Sequence, residues 1–430
     1  MIRWWGVSTI VLMVVLSLLG VQVPAAMAIS IQAVCTGVGT PIQDAVNKAC
    51  NGDSISVSSS GGMPCNESVT VDNVVDNNLP ARCSAQVGMP FTKLTITGTS
   101  NASNNFTPGP GPAFLITGNA WNITISNFIV GAAAGDGIDV VSAHRVTLTN
   151  IRTANPGSFA TGDGIRIDTA STRVRVLSST LNGNGGDGLE MGATYGDVSS
   201  VTANDNGAVG INVTGSNVNV TRCKANETNS VGNIQQEGFR FSGPGAIVQQ
   251  CAATDNAVAQ FHDDGNSTGV IHFRNVAGTS SAAEPPSTGG KGFLEEGTGN
   301  RINTCTAIRN NGDGFDIEGN GNALQLSIAN SNGTGPAPAT HIGAQLAIGG
   351  NNNFIQSNTF TRVSAPNAFA STDPAVNCPA GLSNFFDRNR VSISTPTASP
   401  NGFNVPDPTN NGSSNTRAPS DAADPPLNLR

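Results

Sequence analysis

One short segment of the chain concentrates side chains that can carry acid–base chemistry. His262, Asp263 and Asp264 are consecutive, with Arg240 upstream and Glu296 downstream. An imidazole, a guanidinium and several carboxylates that fold together can transfer protons, or can hold a metal ion that assists proton abstraction. The sequence therefore predicts catalytic roles for these five residues. Asp263 and Asp264 also fit an ordinary polar turn.

A second set of acidic residues recurs along the chain. Asp136, Asp163 and Asp187 each lie between two glycines. If the three stack, neighbouring carboxylates repel by about 1 kcal/mol per pair in water, so they either turn toward solvent or share a cation such as Ca²⁺. The alternative is structural, because an aspartate before a glycine commonly hydrogen-bonds its own turn. Ca²⁺ is the only cofactor that the sequence suggests.

The elements that must position both sets are copies of one short phrase. An acidic residue, a glycine and an apolar–x–apolar run occur at 135–140, 162–167, 186–191 and 312–317, with a variant at 237–241. Neighbouring copies roughly 22 to 28 residues apart are typical of a stacked solenoid. We interpret the phrase as the corner of each coil, where the glycine allows a tight backbone turn.

Polar and apolar residues alternate after each corner with the period of a β-strand. A second strand follows in each unit, for example at 145–148 and 217–220. A leucine-rich repeat has a similar period, but leucine is scarce here and no helical segment follows the strand. The pattern predicts an all-β fold, a right-handed parallel β-helix.

One helix is expected, ahead of the repeats, as a cap on the N-terminal end of the solenoid. Thr40 fits the N-cap position, Pro41 fits the first helical position, and Gln43 would complete a capping box. An apolar stripe follows, and Gly52 is expected to end the helix.

Three segments at the start of the repeats, 42–46, 52–55 and 67–71, resemble the opening of the pectate-lyase-like superfamily, including its NosD-type, carbohydrate-binding and sugar-hydrolase repeats. The resemblance covers about residues 41 to 363 and implies the β-helix fold and an association with carbohydrate. It implies no catalytic residue. The Gly-His-Gly and Arg-Ile-Lys elements of polygalacturonase-type hydrolases, and the Asp-His and Arg motifs of pectate lyases, are absent from this sequence.

The chain divides into four segments. The first has a basic Arg3, an apolar stretch at 11–23 and a small-residue ending, which is the pattern of a secretory signal peptide. No later stretch is long and apolar enough to cross a bilayer, so we expect a secreted, extracellular or periplasmic protein. The segments are a signal peptide at 1–28, a cysteine-rich N-terminal cap with the first coils at 29–112, β-helix repeats at 113–363, and a C-terminal cap with a disordered tail at 364–430.

Eight cysteines in an exported chain indicate disulfides. Four lie in the N-terminal segment and are expected to form bridges of undefined connectivity: Cys35, Cys50, Cys65 and Cys83. Cys223, Cys251 and Cys305 fall at the same place in their repeats and are expected to be buried thiols. A bridge between Cys223 and Cys251 is the alternative.

Aligning the repeats predicts which residues share a position on successive coils, about 4.8 Å apart. The turn column is Asp136, Asp163, Asp187, Val209, Glu237, Lys291 and Asp313. The outward column of the following strand is Asp139, Arg166, Glu190, Asn212, Arg240, Gln260 and Asp316, and its opposite charges are expected to pair across coils. The repeats lengthen at 152–162, 226–236, 277–290 and 331–344, so these insertions are expected to line one edge of the outward face.

Charge and aromatic content narrow the partners. The net charge is −8 and the basic residues form no stripe, which argues against nucleic acid. Outside residues 1–28 the chain has one tryptophan, Trp121, and one tyrosine, Tyr195, so the aromatic surface on which sugars stack is expected to be poor. Oligomeric state is not predicted.

Two functions are compatible with these patterns. The first is binding or cleavage of an extracellular polysaccharide along the repeat face, in the manner of a polysaccharide lyase or glycoside hydrolase. Elimination on a uronate polymer would use Arg240 or His262 to take the proton, while Asp263, Asp264 and Glu296 hold a cation. The second is a non-catalytic surface or matrix scaffold whose insertions bind a partner. The fold favours carbohydrate, by analogy.

Overall fold

The structure is a computed structural model. It describes residues 28–72, 93–99, 104–107, 111–132, 135–153, 162–228, 234–278, 290–330, 332, 346–362, 376–377, 383–393, 403–404 and 416–417. Several predicted features lie outside the described residues. They are residues 1–27 of the expected signal peptide, Cys83, most of the four insertions and most of the C-terminal tail. No helix among the described residues is long and apolar enough to cross a membrane.

Three β-sheets form the sides of a solenoid, and in every sheet neighbouring strands are parallel. Sheet I has 15 strands: β1 (Ser30–Cys35), β2 (Ser54–Ser59), β4 (Leu94–Gly98), β5 (Asn104–Thr107), β7 (Ile123–Ala132), β9 (Thr147–Thr153), β11 (Arg175–Leu177), β13 (Asp197–Ser199), β15 (Asn219–Thr221), β18 (Ile247–Gln249), β21 (Ile271–Phe273), β24 (Arg301–Asn303), β27 (Ala323–Gln325), β30 (Phe354–Gln356) and β33 (Phe385–Asp387).

Sheet II has 13 strands, which follow the repeated phrase: β3 (Val69–Val71), β6 (Phe114–Ile116), β8 (Ile138–Val140), β10 (Ile165–Ile167), β12 (Leu189–Met191), β14 (Val209–Val213), β17 (Glu237–Phe241), β20 (Ala259–Asp263), β23 (Lys291–Glu295), β26 (Phe315–Ile317), β29 (Leu346–Ile348), β32 (Val376–Asn377) and β35 (Phe403–Asn404). Sheet III has eight: β16 (Lys224–Asn226), β19 (Ala252–Thr254), β22 (Val276–Ala277), β25 (Thr306–Ile308), β28 (Ile328–Asn330), β31 (Thr359–Arg362), β34 (Arg390–Ile393) and β36 (Thr416–Arg417). This confirms the predicted parallel β-helix.

The core is a set of side-chain stacks that run along the solenoid axis. Strands pair in register, so an inward side chain lies on the equivalent side chain of the next coil. Phe239, Phe261, Phe293 and Phe315 stack in this way, with ring centroids 4.8, 4.8 and 5.1 Å apart. Each ring shields its neighbours from water, so burial that no single coil could achieve is shared by the stack.

Buried amides form a second stack at one corner of the solenoid. The Asn184 side-chain amide donates to Asn206 (2.8 Å), Asn206 donates to Gln235 (3.2 Å), and Gln235 donates to Asn256 (2.6 Å). All four residues are fully buried. Because every donor finds an acceptor on the next coil, the polar corner is buried without leaving its amide N–H groups unpaired.

The glycine of the repeated phrase has a different role from the one expected. Gly164, Gly188 and Gly238 do not adopt left-handed backbone angles. A Cβ at Gly188 would instead lie 2.6 Å from the carbonyl oxygen of Gly210 and 2.8 Å from the Cβ of Ala203. The expectation of a glycine-dependent tight turn was wrong: glycine is required because the next coil approaches too closely for a side chain.

The capping helix exists but is shorter than expected and is capped differently. It is α1 (Pro41–Asn47), which ends well before Gly52. Thr40 makes no side-chain capping bond. The backbone N–H groups of Ile42 and Gln43 donate to the two carboxylate oxygens of Glu67, both at 2.9 Å. The predicted capping box was wrong, because a carboxylate from outside the helix supplies the stronger acceptor at its positive end.

The cysteines behave as the sequence suggested. Cys35 and Cys65 form a disulfide, and Cys50 is also disulfide-bonded. Cys223, Cys251 and Cys305 are free and buried, which confirms the buried-thiol interpretation over a Cys223–Cys251 bridge. The backbone N–H of Cys223 donates to the sulfur of Cys251 at 3.3 Å, so these thiols contribute to the stack of coils.

Replacing Gly188 by alanine tests the close approach of coils. We expect Gly188→Ala to lower the free energy of unfolding by about 1–3 kcal/mol, because the new methyl group overlaps the backbone of the next coil. Gly265→Ala is the matched control, since nothing lies within 4 Å of the Cβ position there. Urea unfolding followed by circular dichroism measures both. Equal stability of the two variants would contradict this account of the phrase.

Candidate functional site

The outer face of Sheet II carries a cluster of five charged residues on three successive coils. We call Glu237, Arg240, His262, Asp264 and Glu296 the outer cluster. Arg240 on β17 lies directly beside His262 on β20. Asp264 and Glu296 immediately follow β20 and β23, whose last residues are paired. The structure therefore brings together four of the five residues predicted to be catalytic and adds Glu237.

The predicted outward column was wrong at one position. It placed Gln260 beside Arg240, but the residue paired with Arg240 is His262. The register is set by the stacked Phe239 and Phe261, which immediately precede these two residues. Gln260 is fully buried, and its side-chain oxygen accepts a hydrogen bond from Asn256 at 2.6 Å.

His262 lies between two carboxylates. Its Nδ1 donates to Glu237 Oε1 at 2.8 Å, and its Nε2 faces Glu296 Oε2 at 3.2 Å. The side chains of His262 and Glu237 are each 10% exposed, whereas that of Glu296 is 40% exposed. Burial by itself lowers the pKa of His262, but the hydrogen bond and charge of Glu237, followed by those of Glu296, outweigh it, so the pKa is raised.

Arg240 is held beside His262 by Asp264. A guanidinium nitrogen of Arg240 lies 3.3 Å from Asp264, which also accepts the Ser242 hydroxyl at 2.6 Å. Burial raises the pKa of Asp264, but the hydrogen bonds from Ser242, the Asn266 backbone and Arg240 outweigh it, so the pKa is lowered and Asp264 stays ionised. The Arg240 side chain as a whole remains 41% exposed to solvent.

Two polar atoms inside the outer cluster have no hydrogen-bond partner among the residues that the structure describes. They are the Nε of Arg240 and the Oε2 of Glu237, which are buried and lie 4.0 Å apart. A buried donor and acceptor left unpaired each cost free energy. The two atoms form a buried ion pair, which holds the Arg240 side chain beside Glu237.

Asp263 does not face this surface. Successive residues of a strand point to opposite sides of a sheet, so Asp263 enters the core between two outward neighbours. It joins His272 of β21 and Glu295 of β23, and the three residues, 0%, 0% and 1% exposed, form the inner cluster. His272 Nε2 donates to both oxygens of Asp263, at 3.0 and 3.2 Å, and lies 4.0 Å from Glu295 Oε1.

The inner cluster is better described by a shared proton than by a metal ion. Its ligand atoms lie within 4.8 Å of one another, which could hold a metal. However, the side-chain NH₂ of Asn275 points at His272 Nδ1 at 3.2 Å, and this amide is oriented by bonds with the backbones of Val248 and Cys251. Nδ1 is therefore an acceptor and the proton is on Nε2, where a metal would have to bind.

Glu295 carries the proton that this arrangement requires. Its Oε1 accepts no hydrogen bond from any described residue. Burial, followed by the charge of Asp263, raises the pKa of Glu295 well above its usual range. A protonated Glu295 can donate to Asp263, which removes the repulsion between two neighbouring carboxylates in the core.

The turn aspartates bind the next coil. Asp136 accepts the backbone N–H of Asp163 at 2.8 Å, Asp163 accepts that of Asp187 at 2.7 Å, and Asp187 accepts that of Val209 at 2.9 Å. These bonds connect neighbouring coils, whereas the structural alternative expected each aspartate to bond within its own turn. Burial, together with the neighbouring carboxylates, raises the pKa of Asp163 to about 7. A Ca²⁺ role for these three aspartates stays a prediction.

The charges of the outward column pair across coils, as expected. Arg166 lies 3.2 Å from Asp139 and 3.5 Å from Glu190, on the coils to either side. Because Arg166 is 42% exposed, each of these pairs contributes a fraction of a kcal/mol.

Two functional residues were missed in the sequence. Glu237 stood in the turn column, and its bond to His262 joins residues of neighbouring coils. His272 lies in an inward column between Val248 and Ile302. A histidine at an inward position of an alternating strand, on the same coil as Asp263, was the available signal.

No protein-family model and no curated protein sequence matches the chain. Among solved structures, the A-module of mannuronan C-5 epimerase AlgE6 from Azotobacter vinelandii is similar, with 11% identity, a TM-score of 0.57, and coverage of 89% of this chain and 96% of that one. The Dettilon tailspike protein gp208 has 12% identity, a TM-score of 0.55, and coverage of 85% and 68%. These similarities confirm that the chain folds as a right-handed parallel β-helix.

Glu295→Gln tests the shared proton. Because folding raises the pKa of Glu295, the folded protein holds a proton that the unfolded chain loses above the ordinary glutamate pKa. The parent should therefore lose stability as pH rises from that value toward the folded pKa, by up to about 1.4 kcal/mol per pH unit. Asp163, whose pKa is raised to about 7, also contributes to this loss, so we expect Glu295→Gln to lose less stability than the parent over the same pH range, measured by urea unfolding. The exposed control Glu318→Gln should lose as much as the parent, and a loss in Glu295→Gln equal to that of the parent would contradict the assignment.

Proposed function

We propose that the protein is an exported enzyme that acts on an acidic, uronate-type polysaccharide by proton transfer at the outer cluster. One observation carries the proposal: His262 is held by Glu237 on one side while its other nitrogen faces the solvent-accessible Glu296. A histidine oriented by a buried carboxylate, with its second nitrogen directed outward, is the arrangement that general acid–base catalysis uses.

His262 is the group proposed to move the proton. When the ring is neutral, its Nδ1–H stays on Glu237 and the lone pair of Nε2 points outward. Glu296 is half-exposed and can turn away, which opens Nε2 to a bound sugar. The neutral ring can take a proton from the substrate, and the protonated ring can return one. The carboxylates of Glu237 and Glu296 raise the pKa of His262, which favours the protonated ring that returns the proton.

Arg240 is the group proposed to bind the carboxylate of the sugar. Its side chain is 41% exposed. Removing a proton from the carbon next to a carboxylate places negative charge on that carboxylate. A guanidinium already fixed by Asp264 can stabilise this charge without reorganising.

A cation role is now restricted to fewer ligands. Of the three carboxylates expected to hold a cation, Asp263 lies in the core, and Asp264 is engaged by Arg240 and Ser242. Only Glu296 is open to solvent on the same face as His262. Ca²⁺ binding between Glu296 and the substrate stays a prediction.

The similar folds support a polysaccharide as the substrate class. Mannuronan C-5 epimerase is named for inverting a carbon of a polysaccharide, a reaction in which a proton is removed and returned. At 11% identity the similarity carries the fold and not the residues. The role assigned to each side chain therefore rests on the geometry of the outer cluster.

A non-catalytic scaffold is the second candidate. The observation that favours it is that the charges of the outer cluster are paired across coils, as Arg166 pairs with Asp139 and Glu190. In that case the outer cluster would be one more charged ladder that holds coils together, and it would bind no sugar.

A polysaccharide panel with two variants distinguishes the candidates. On uronate polymers, with and without Ca²⁺, we expect either ultraviolet absorbance from an unsaturated product or exchange of the sugar C–H with deuterated solvent. His262→Gln should lower the rate by about 10²–10⁴-fold, because it removes the acid–base group. Arg240→Ala should lower it too, through loss of charge stabilisation.

The control is Arg301→Ala, which changes an exposed arginine on β24, a strand of Sheet I. It should leave the rate unchanged. If no polymer is bound or changed, the scaffold is favoured. If His262→Gln keeps full activity, the proposed chemistry is overturned.

A further inference from the structure

Four successive coils place long exposed side chains along one corner of the solenoid. The corner follows β6, β8, β10 and β12 of Sheet II. Trp121, His144, Thr172 and Thr194 occupy one position on these coils and are joined by parallel bridges. The next position carries Asn122, Arg145, Arg173 and Tyr195. We call Trp121, Arg145, Arg173 and Tyr195 the corner edge.

The corner edge gathers the few aromatic residues of the chain. Trp121 is 38% exposed and Tyr195 is 59% exposed. They are the only tryptophan outside residues 1–28 and the only tyrosine in the sequence. Three coil spacings separate them, roughly 14 Å along the axis. The two rings lie at adjacent positions of the same corner, and at this distance they can stack on the two ends of a short oligosaccharide.

Two guanidinium groups lie between the rings. Arg145 lies over the Trp121 ring, with its guanidinium carbon 4.8 Å from the ring centroid. Arg145 and Arg173 are exposed, and neither forms an ion pair with another described residue. The acid nearest in sequence to Arg173, Asp168, is engaged by the backbone of Ser142 and by Ser171, and the one nearest to Arg145, Asp139, is paired with Arg166. In a chain of net charge −8, this is a local positive surface.

The long side chains are a local choice and not a requirement of the corner. The residue at this position has a left-handed backbone, with φ between 54° and 60° for Arg145, Arg173 and Tyr195. Asparagine and glycine adopt this conformation with the least strain. On the later coils the same position indeed carries those residues: Asn217, Gly245, Gly269, Gly299, Gly321 and Asn352.

The corner is also fixed in place by its backbone. The N–H groups of Arg145, Arg173 and Tyr195 donate to carbonyl groups of the following coil at 2.9–3.0 Å. His144 packs against Trp121, with ring centroids 5.6 Å apart, and its Nδ1 bonds the Thr172 hydroxyl at 2.8 Å. The four side chains therefore extend from a rigid backbone, which reduces the conformational entropy lost when a ligand binds.

We propose that the corner edge is a binding site for an acidic oligosaccharide, whose carboxylate or sulfate groups pair with Arg145 and Arg173 while its rings stack on Trp121 and Tyr195. Neighbouring arginines suit anions whose oxygens accept two parallel N–H hydrogen bonds from one guanidinium. The aromatic faces suit the apolar side of a sugar. The site goes beyond the proposed function, because it binds without catalysis. Tyr195 lies two coils, roughly 10 Å, before Arg240, so one polymer can reach both.

Tryptophan fluorescence of the full chain tests the site. The signal of Trp121 is the difference between the parent and Trp121→Phe, which removes the contribution of Trp4 and Trp5. Titration with an oligouronate should change it in a saturable way. The double substitution Arg145→Ala/Arg173→Ala should weaken binding at least tenfold, and so should Tyr195→Ala. Arg222→Ala is the matched control, an exposed arginine with φ of 54° at a different corner, and it should bind as the parent does.

Sulfated and neutral oligosaccharides complete the design. A sulfated ligand that binds more tightly than the uronate would assign sulfate as the anion. A neutral ligand that binds equally well would overturn the acidic class, as would equal losses in Arg222→Ala and the double variant. His262→Gln should leave the fluorescence response intact. If His262→Gln binds the oligosaccharide as the parent does, binding at the corner edge is independent of catalysis at the outer cluster. Each of the two proposals can then fail without overturning the other.

Discussion

In-register stacking of short parallel strands is the constraint on which the rest of the structure depends. Each coil places every side chain on the equivalent side chain of its neighbour. A single residue therefore acts as part of a column, and a column is stable only if its members stack, bond or pair. The phenylalanine stack, the amide ladder and the aspartate-to-backbone ladder are three ways of meeting this requirement. The glycine column is the fourth, because it removes a side chain where coils touch.

The same constraint divides one acidic segment between two environments. His262 and Asp264 lie on the outer side of the sheet, where they retain 8% and 6% exposure, while Asp263 between them enters the core and has none. Outside, carboxylates around His262 and Arg240 raise the basicity of an imidazole that remains close to water. Inside, the low dielectric makes a second carboxylate charge unfavourable, so Glu295 keeps its proton and bonds Asp263. The inner cluster ties β20 to β21 and β23, and it thereby fixes the strands that carry the outer cluster.

Much of this could be predicted from the sequence because columns are visible as repeats. The period gave the β-helix, and alternation gave the pairing of Arg166 with Asp139 and Glu190. The placement of Gln260 failed because this coil lacks the Asp-Gly phrase, and Gln260 lies beside Gly238, at the glycine position, two residues before the outward residue His262. The cap by Glu67 and the partnership of Glu237 with His262 join residues of different coils, and no local pattern encodes them. The sequence shows how few tryptophan and tyrosine residues the chain has, but only the fold shows that Trp121 and Tyr195 lie on one corner.

The central claim is that His262 is an outward acid–base group oriented by Glu237. An NMR titration of ¹⁵N-labelled histidines tests it directly, with the His262 resonances assigned through His262→Gln. The account predicts that His262 titrates above the ordinary histidine pKa of about 6.5, that its Nδ1 carries the proton in the neutral form, and that Glu237→Gln lowers its pKa. A His262 that titrates at or below the ordinary value, and does not respond to Glu237→Gln, would contradict the account.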